Sequence, residues 1–181
     1  EEAAQILHQA IELYWEMGDH DRVARLYTRI AQLLWYDSNE KALETCREGL
    51  RRLEGVPEGP GLARLLAEAG RTVFFSASSS KEEVISLCQW AIAIADRIGD
   101  LQAKAEASIT IALAVQESDT GKCLQILQEV IAFTEAKQLW EQATRAYLDY
   151  GEIISADLPV LEMKQKYIIR ALQIASRFGD L

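Results

Sequence analysis

Apolar side chains recur along most of the chain at intervals of three or four residues, which is the spacing of one face of an α-helix. One such stripe begins at Val23 and ends at Leu34, and another runs from Leu43 to Leu53. The alternation of apolar and polar residues that marks a half-buried strand is absent. The pattern therefore predicts an all-α protein.

Nine helices are predicted from these stripes and from the turn residues between them. The expected ranges are residues 2–17, 20–36, 39–54, 60–76, 81–98, 101–117, 120–137, 139–155 and 159–178. The first helix stands alone, and the other eight form four hairpins.

A short signature returns along the chain at nearly constant spacing. A small residue followed eight positions later by Gly-Asp occurs at Gly18, Gly99 and Gly179, so these glycines lie 81 and 80 residues apart. Small residues in the first helix of each hairpin recur every 39, 42 and 39 residues, and they are Ala31, Gly70, Ala112 and Gly151. The second helices keep the same register through Ala10, Gly49, Ala91, Val130 and Ala171. Two matching registers predict a repeat of about 40 residues, with the small first-helix residues at close helix contacts.

The corners between helices carry residues suited to ending one helix and beginning the next. In each Gly-Asp pair the glycine can adopt the left-handed conformation that closes a helix, and the aspartate can accept hydrogen bonds from the first amides of the following one. Ser80-x-x-Glu83 has the form of a capping box, and Pro60 and Pro159 suit the first turn of a helix.

The repeat motifs resemble those of tetratricopeptide proteins. Ala69-Gly70-x-x-Val73 and Tyr150-Gly151-x-x-Ile154 are similar to the first-helix motif of that family, and Ala42-x-x-x-Cys46-x-x-Gly49 is similar to its second-helix motif. The endings Ala93 to Asp100 and Leu172 to Asp180 resemble the helical-repeat regions of large bacterial regulators. Those regulators are the maltose-activator type of LuxR-like transcription factors and the ATPase-linked adenylate or guanylate cyclases.

The resemblance implies a right-handed α-α superhelix of about four to five tetratricopeptide-like hairpins. Residues 1–181 would form a single repeat domain that is a fragment of a longer array. The resemblance further implies that the chain is a sensor or interaction segment of a multidomain bacterial signalling or transcription regulator.

Composition agrees with a helical chain that has enough apolar residues for a core. Among 181 residues, 49% are hydrophobic, and there are only three prolines and ten glycines. No apolar run approaches the length that spans a bilayer, and Glu1-Glu2 is unlike the positive start of a secretory signal. These features predict a cytoplasmic protein without a membrane partner.

The charge balance and the cysteines argue against a nucleic-acid-binding protein, a disulfide framework and a zinc site. Nineteen basic against twenty-eight acidic residues give a net charge of −9, so direct binding of nucleic acid is not expected. Cys46, Cys88 and Cys123 are far apart and lie on apolar stripes, which favours reduced core thiols over a disulfide framework or a zinc site.

Residues for catalysis are missing from the sequence. His8 and His20 are the only histidines, and Asp119-Thr120-Gly121-Lys122-Cys123 lacks the upstream glycine and the following hydroxyl residue of a phosphate-binding loop. We interpret that segment as the beginning of a helix. The sequence predicts a chain that is not an enzyme and has no catalytic, metal-binding or cofactor-binding residues.

A partner-binding groove is expected on the first helices of the hairpins, which line the inner surface of such solenoids. Arginine recurs in three of four repeats at one equivalent position, and arginine suits the capture of a carboxylate or phosphate. Aromatic residues end the first helices of the first two complete hairpins. The predicted groove residues are Arg25, Gln32, Trp35, Tyr36, Arg64, Arg71, Phe74 and Arg145.

Two interpretations of these residues stay open. They can form a groove for a protein, a peptide or a small anionic ligand, or the aromatic residues can cover gaps between repeats while the arginines form a solvated face. The leading functional hypothesis is a non-catalytic protein-binding module. The alternative is a receptor domain for a sugar or a nucleotide.

Association between copies is also expected, because repeats bury their faces only against neighbours. The first predicted helix matches a second helix of the repeat and lacks a first-helix partner in the sequence. At the other end, an uncapped face would bear Leu161, Ile168, Leu172 and Ala175. Exposed apolar surface at such ends favours homo-association.

Overall fold

The computed structural model describes residues 2–77, 80–154, 165, 167–174 and 176, with side chains from residue 6 onward. Eight helices are bounded within these residues, residues 167–174 are also helical, and this part of the chain contains no strand. The prediction of an all-α chain is confirmed. The helices are α1 (Glu2–Glu16), α2 (His20–Leu34), α3 (Asn39–Arg52), α4 (Pro60–Phe74), α5 (Lys81–Ile98), α6 (Leu101–Val115), α7 (Thr120–Ala136) and α8 (Trp140–Ile153).

The predicted boundaries of the first eight helices agree with the structure to within two residues at either end. The ninth predicted helix, 159–178, contains the helical residues 167–174, but both of its ends and Pro159 lie outside the described residues.

The chain divides into two compact units, Glu1–Thr110 and Ile111–Leu181. Unit 1 contains α1 to α5 and most of α6. Unit 2 contains the end of α6, the helices α7 and α8, and the helical residues 167–174.

Unit 1 is built from helices that pack on their sequence neighbours, and α2 also packs on α4. Tyr27, Ile30 and Leu65 are fully buried between these helices. Arg52 of α3 holds α1 in place, because its guanidinium binds both carboxylate oxygens of Glu12 at 2.5 and 2.7 Å and lies 4.7 Å from the ring centre of Trp15. The core of unit 1 continues from α2, α3 and α4 into α5 and α6, where Val84, Ile94 and Ile109 are also fully buried.

The small residues of the repeat register lie where helices approach closely. A Cβ atom on Gly49 would come within 2.7 Å of Cγ of Tyr27, and one on Gly70 would collide with Sγ of Cys88. Ala31, Ala112 and Gly151 are buried in their own units. The prediction that the first-helix residues mark close helix contacts is confirmed for Gly70, and burial agrees with it at the other three positions.

Two Gly-Asp corners have the conformations that the sequence predicts. Gly18 and Gly99 have φ angles of 70° and 77°, in the left-handed region that favours glycine. Oδ1 of Asp19 accepts a hydrogen bond from the amide of Arg22 at 3.1 Å, and Oδ1 of Asp100 accepts one from Ala103 at 3.2 Å. The third corner, at Gly179, lies outside the described residues.

The starts of α4, α5 and α7 also agree with the predictions from the sequence. Pro60 lies in the first turn of α4, and Oγ of Ser80 accepts a hydrogen bond from the amide of Glu83 at 3.2 Å at the start of α5. Asp119 caps α7 by accepting from the amide of Lys122 at 2.8 Å, so the interpretation of that segment as a helix start is confirmed.

Unit 2 is held together by the packing of α7 on α8 and by a group of tyrosines. The ring centre of Tyr167 lies 4.4 Å from that of Tyr150 and 5.7 Å from that of Tyr147. Arg170 reaches α7 and donates to Oε1 of Glu135 at 2.8 Å. These contacts attach the helical residues 167–174 to the α7–α8 hairpin.

The three cysteines are buried and form no disulfide, as expected for core thiols. Burial raises the pKa of the Cys46 thiol to about 12 and that of Cys123 to about 11, so both stay protonated at neutral pH. Within the described residues, no helix is both long and apolar enough to cross a membrane.

Candidate functional site

The helices α2 and α4 run side by side in the same direction within unit 1. Near their starts, the amide of Gly61 donates to Oδ1 of Asp21 at 2.5 Å, and nearer their ends Nε2 of Gln32 donates to Oε2 of Glu68 at 3.4 Å. Residues spaced by three or four positions along each helix therefore form two parallel rows on one side of the unit.

An arginine stacked on an aromatic ring lies at the end of these rows. The guanidinium carbon of Arg71 lies 4.4 Å from the ring centre of Trp35. Phe75 meets Trp35 edge-on with ring centres 5.1 Å apart, and it meets Phe74 edge-on at 4.8 Å. We call Trp35, Tyr36, Phe74 and Phe75 the aromatic patch.

A buried carboxylate sets the position of Arg71. The Glu68 residue is only 6% exposed, and its Oε1 accepts hydrogen bonds from Nη2 and Nε of Arg71 at 3.0 and 3.3 Å. Gln32 binds the other oxygen of the same carboxylate. Because Arg71 is held by Glu68 and stacked on Trp35, it reaches the surface in a fixed orientation.

Much of the aromatic patch is open to solvent. Tyr36 is 89% exposed and Phe75 is 51% exposed, although both are large and largely apolar. Trp35 and Phe74 lie half-buried beside them. The patch therefore covers the core with Trp35 and Phe74, and it offers the faces of Tyr36 and Phe75 to the exterior.

The two other predicted groove arginines of unit 1 are bound to neighbouring carboxylates. Nε of Arg25 donates to Oδ2 of Asp21 at 2.7 Å on the surface of α2. Arg64 donates to Oδ2 of Asp100 at 2.9 Å and to Oε1 of Gln102 at 3.0 Å, so it ties α4 to the corner between α5 and α6. The contacts of Arg64 therefore serve to connect helices within unit 1.

The ion pair between Arg64 and Asp100 also helps to lower the pKa of the Asp100 carboxyl group. Burial of the Asp100 carboxyl group opposes ionisation, but hydrogen bonds from Arg64 and from the amides of Ala103 and Gln102 outweigh it, so the pKa of Asp100 lies below its ordinary value. The carboxylate that caps α6 is therefore charged throughout the neutral range.

Arg145 belongs to unit 2, on α8, whereas the other seven predicted groove residues belong to unit 1. Its Nε lies 3.8 Å from Oδ2 of Asp149. Of the eight predicted residues, four meet in one cluster with Glu68 and Phe75. They are Gln32, Trp35, Phe74 and Arg71, and Tyr36 follows Trp35 in the chain with most of its surface exposed.

Arg29 is a candidate residue outside the predicted groove set. It lies on the same face of α2 as Arg25 and Gln32, one turn from Arg25. Tyr36 lies just past the end of α2, and because Trp35 before it keeps helical backbone angles, Tyr36 continues this row two turns beyond Arg29. Its side chain is exposed and forms no ion pair or hydrogen bond with any described residue. The sequence signal that could have found it is the helical spacing of these four positions.

His20 packs against Trp15 with ring centres 4.8 Å apart. Within the described residues, no cluster of His, Cys, Asp and Glu could hold a metal ion.

Comparison with known proteins does not assign the chain to a family. No family model matches the chain, and no curated protein is significantly similar to it in sequence.

Proposed function

We propose that this chain is a non-catalytic helical-repeat module that binds an extended peptide segment of another protein. It would serve as the sensor or interaction segment of a multidomain bacterial signalling or transcription regulator. The single observation that carries the proposal is the exposed aromatic patch on parallel helices, beside an ordered Arg71 and an Arg29 that has no ion-pair partner among the described residues. The repeat register of about 40 residues supports a right-handed superhelix of tetratricopeptide-like hairpins around this surface.

The composition of the surface fits a binding hot spot. Tryptophan, tyrosine and arginine are the residues most enriched where a few side chains carry most of the binding energy. Coverage of the core requires only the buried sides of Trp35 and Phe74, and it leaves the exposure of Tyr36 and Phe75 unexplained. A partner that covers those two rings would remove their apolar faces from water.

The charges on the surface indicate the chemistry of the partner. Arg71 is neutralised by Glu68, and Arg25 by Asp21, whereas Arg29 has no carboxylate partner among the described residues. An acidic side chain on the peptide would form an ion pair with Arg29, and an aromatic or large aliphatic side chain would cover Tyr36 and Phe75. We expect both in the same ligand.

The spacing between these two contacts follows from helix geometry. Arg29 and Tyr36 are seven residues apart, so they are separated by about 10 Å along the axis of α2. A peptide in the polyproline II conformation rises about 3.1 Å per residue with three residues per turn, so side chains three positions apart lie on the same side of the peptide, about 9 Å apart. The acidic residue and the apolar residue should therefore lie three positions apart in the peptide.

Fluorescence anisotropy with labelled peptides tests this proposal. A series would place one Glu and one Phe two, three, four or five positions apart in a neutral Ser/Gly background, in both chain directions. We expect the tightest binding at a separation of three. Arg29→Gln should weaken that peptide about tenfold or more, because a charge-assisted hydrogen bond contributes about 1.5–3 kcal/mol.

Arg51→Gln is the matched control, because Arg51 is also an exposed arginine without an ion pair among the described residues, and it lies on α3 and not on the rows of α2 and α4. It removes the same charge and should leave the affinity unchanged. Equal losses in the two variants, or an affinity that is the same at every spacing, would refute the proposed contact.

We place the module in the cytoplasm, since three buried thiols without a disulfide suit a reducing compartment. The alternative function, a receptor domain for a small molecule, draws its support from a different part of the molecule. That support is a cleft in unit 2.

A further inference from the structure

A cleft of about 740 Å³ lies in unit 2 between α7, α8 and the helical residues 167–174. Its volume falls within the range of about 300–1,000 Å³ that is usual for small-molecule sites. It is formed only by residues of unit 2, so it is separate from the surface on α2 and α4.

One part of the cleft is apolar and aromatic. Ile131 and Tyr147 line it and are each only 8% exposed, and Tyr167 lines it from the C-terminal helical residues. The ring of Tyr167 packs against those of Tyr150 and Tyr147 at interplanar angles of 50° and 37°, which limits its movement. This arrangement provides an ordered apolar surface for the flat side of a ring.

The charged residues of the cleft neutralise each other. Nη2 and Nε of Arg170 donate to Oε1 of Glu135 at 2.8 and 3.2 Å. Among the described residues, no other charged side chain lines the cleft. An anionic ligand near Arg170 would also meet the carboxylate of Glu135, whose charge offsets that of Arg170, so the described lining gives phosphate or carboxylate groups no net attraction.

Three glutamine side chains complete the lining. Nε2 of Gln128 donates to the hydroxyl of Tyr150 at 2.6 Å, which leaves its carbonyl oxygen free to accept. Gln165 and Gln173 form no hydrogen bond with any described residue. Each amide carries both donors and an acceptor, so together they suit a ligand with hydroxyl or amide groups.

We propose that this cleft binds an uncharged, ring-containing polar molecule, with a ring face on the apolar lining and its polar edge on the glutamine amides. The proposal is independent of peptide binding on unit 1. Two kinds of ligand share this chemistry, a sugar ring with an apolar C–H face and a neutral planar heterocycle.

Saturation-transfer NMR on the whole chain tests the proposal with three probes at millimolar concentration. Cellobiose represents the sugar ring, uridine represents the neutral heterocycle, and uridine monophosphate adds a charge to the same heterocycle. We expect transfer to cellobiose or to uridine, and the phosphate should not improve binding of the heterocycle. No transfer to either neutral probe, or tighter binding of the monophosphate, would overturn the proposal.

A blocking variant locates the site. Ile169 lines the cleft and is 52% exposed, so Ile169→Trp should fill the cleft without burying an oversized side chain. Leu172→Trp is the matched control, because Leu172 is 50% exposed on the same helical segment and does not line the cleft. We expect the first variant to weaken the bound probe about tenfold. The second should leave it unchanged, and equal effects of the two variants would place the probe elsewhere.

Discussion

At the scale of single residues, close helix packing depends on a few glycine positions where even the one-carbon side chain of alanine would be too large. Gly70 is the clearest of them, because the helix α5 brings Sγ of Cys88 into the space that a Cβ atom would occupy. The fully buried thiol has little room to move away. The repeat spacing of Gly70 thus has a direct steric cause.

Gly70→Ala should lower the free energy of unfolding by about 1–3 kcal/mol through overpacking, although alanine is the better helix former by about 1 kcal/mol. Urea titration measures the change. Gly121→Ala is the control, because Gly121 lies on the exposed first turn of α7 with only an ordinary contact nearby, and it should be neutral or stabilising. Combining Gly70→Ala with Cys88→Ala should recover part of the loss. Stability equal to that of the unchanged chain would contradict the steric explanation.

At the scale of helices, the corner between α5 and α6 is held by one carboxylate with two duties. Asp100 caps α6 through the amide of Ala103 and also binds Arg64 of α4. The side chain of Asp100 is almost fully buried in this arrangement. One residue therefore joins three helices of unit 1.

The pH dependence of stability should report this contact. The pKa of Asp100 is lowered in the folded chain, so its stabilising effect is fully present above its unfolded pKa of about 3.9 and is lost as the pH falls through the folded pKa. Asp100→Asn should therefore be less stable than the unchanged chain at pH 7, and the difference should shrink on acidification. Urea titrations at a series of pH values measure it.

Arg64→Gln provides the second arm of that experiment, because it removes the charged partner and keeps the cap. It should cost about 1–3 kcal/mol at pH 7, and less once Asp100 is protonated. Asp37→Asn is a control for the loss of a carboxylate elsewhere on unit 1, because Asp37 is exposed and its side chain forms no ion pair or hydrogen bond with any described residue. A constant difference across the pH range for Asp100→Asn would disprove the role of its ionised form.

At the scale of the whole molecule, apolar surface remains exposed on α1. Ile6, Leu13 and Met17 lie along one face of that helix and are 59%, 62% and 72% exposed. Their spacing of seven and four residues makes a continuous stripe. Leu172 in unit 2 is also half exposed, whereas Leu161 and Ala175 lie outside the described residues.

We expect copies of the chain to associate through the α1 stripe as concentration rises, because contiguous exposed apolar surface favours burial against a partner. Light scattering over a concentration series should show a rising average mass, and Leu13→Gln should reduce the rise. Ile98→Gln is the matched control, since Ile98 is exposed on α5 and is not part of the stripe. An average mass that stays at that of one chain throughout would refute this expectation.

The sequence by itself determined the all-α class, the first eight helices and the corners at Gly18 and Gly99. These features follow from interactions within a few residues, namely the helical period of apolar side chains and the capping of free amides. The core positions of the small residues and cysteines also followed, because these residues lie on the apolar stripes of the predicted helices. The aromatic residues of the patch could be placed near one surface, because they lie at the ends of predicted helices.

Only the tertiary structure decided which polar groups meet. Arg64 and Arg71 look equivalent to other groove arginines in the sequence, but the first is bound to Asp100 and the second to Glu68, each a carboxylate that the fold places within reach. Arg29 is available because no carboxylate lies near it among the described residues. The cleft of unit 2 was likewise invisible in the sequence, since it depends on the gap between α7 and residues 167–174. Ion pairing and cavities depend on distances between chain segments far apart in sequence, and helical periodicity carries no information about those distances.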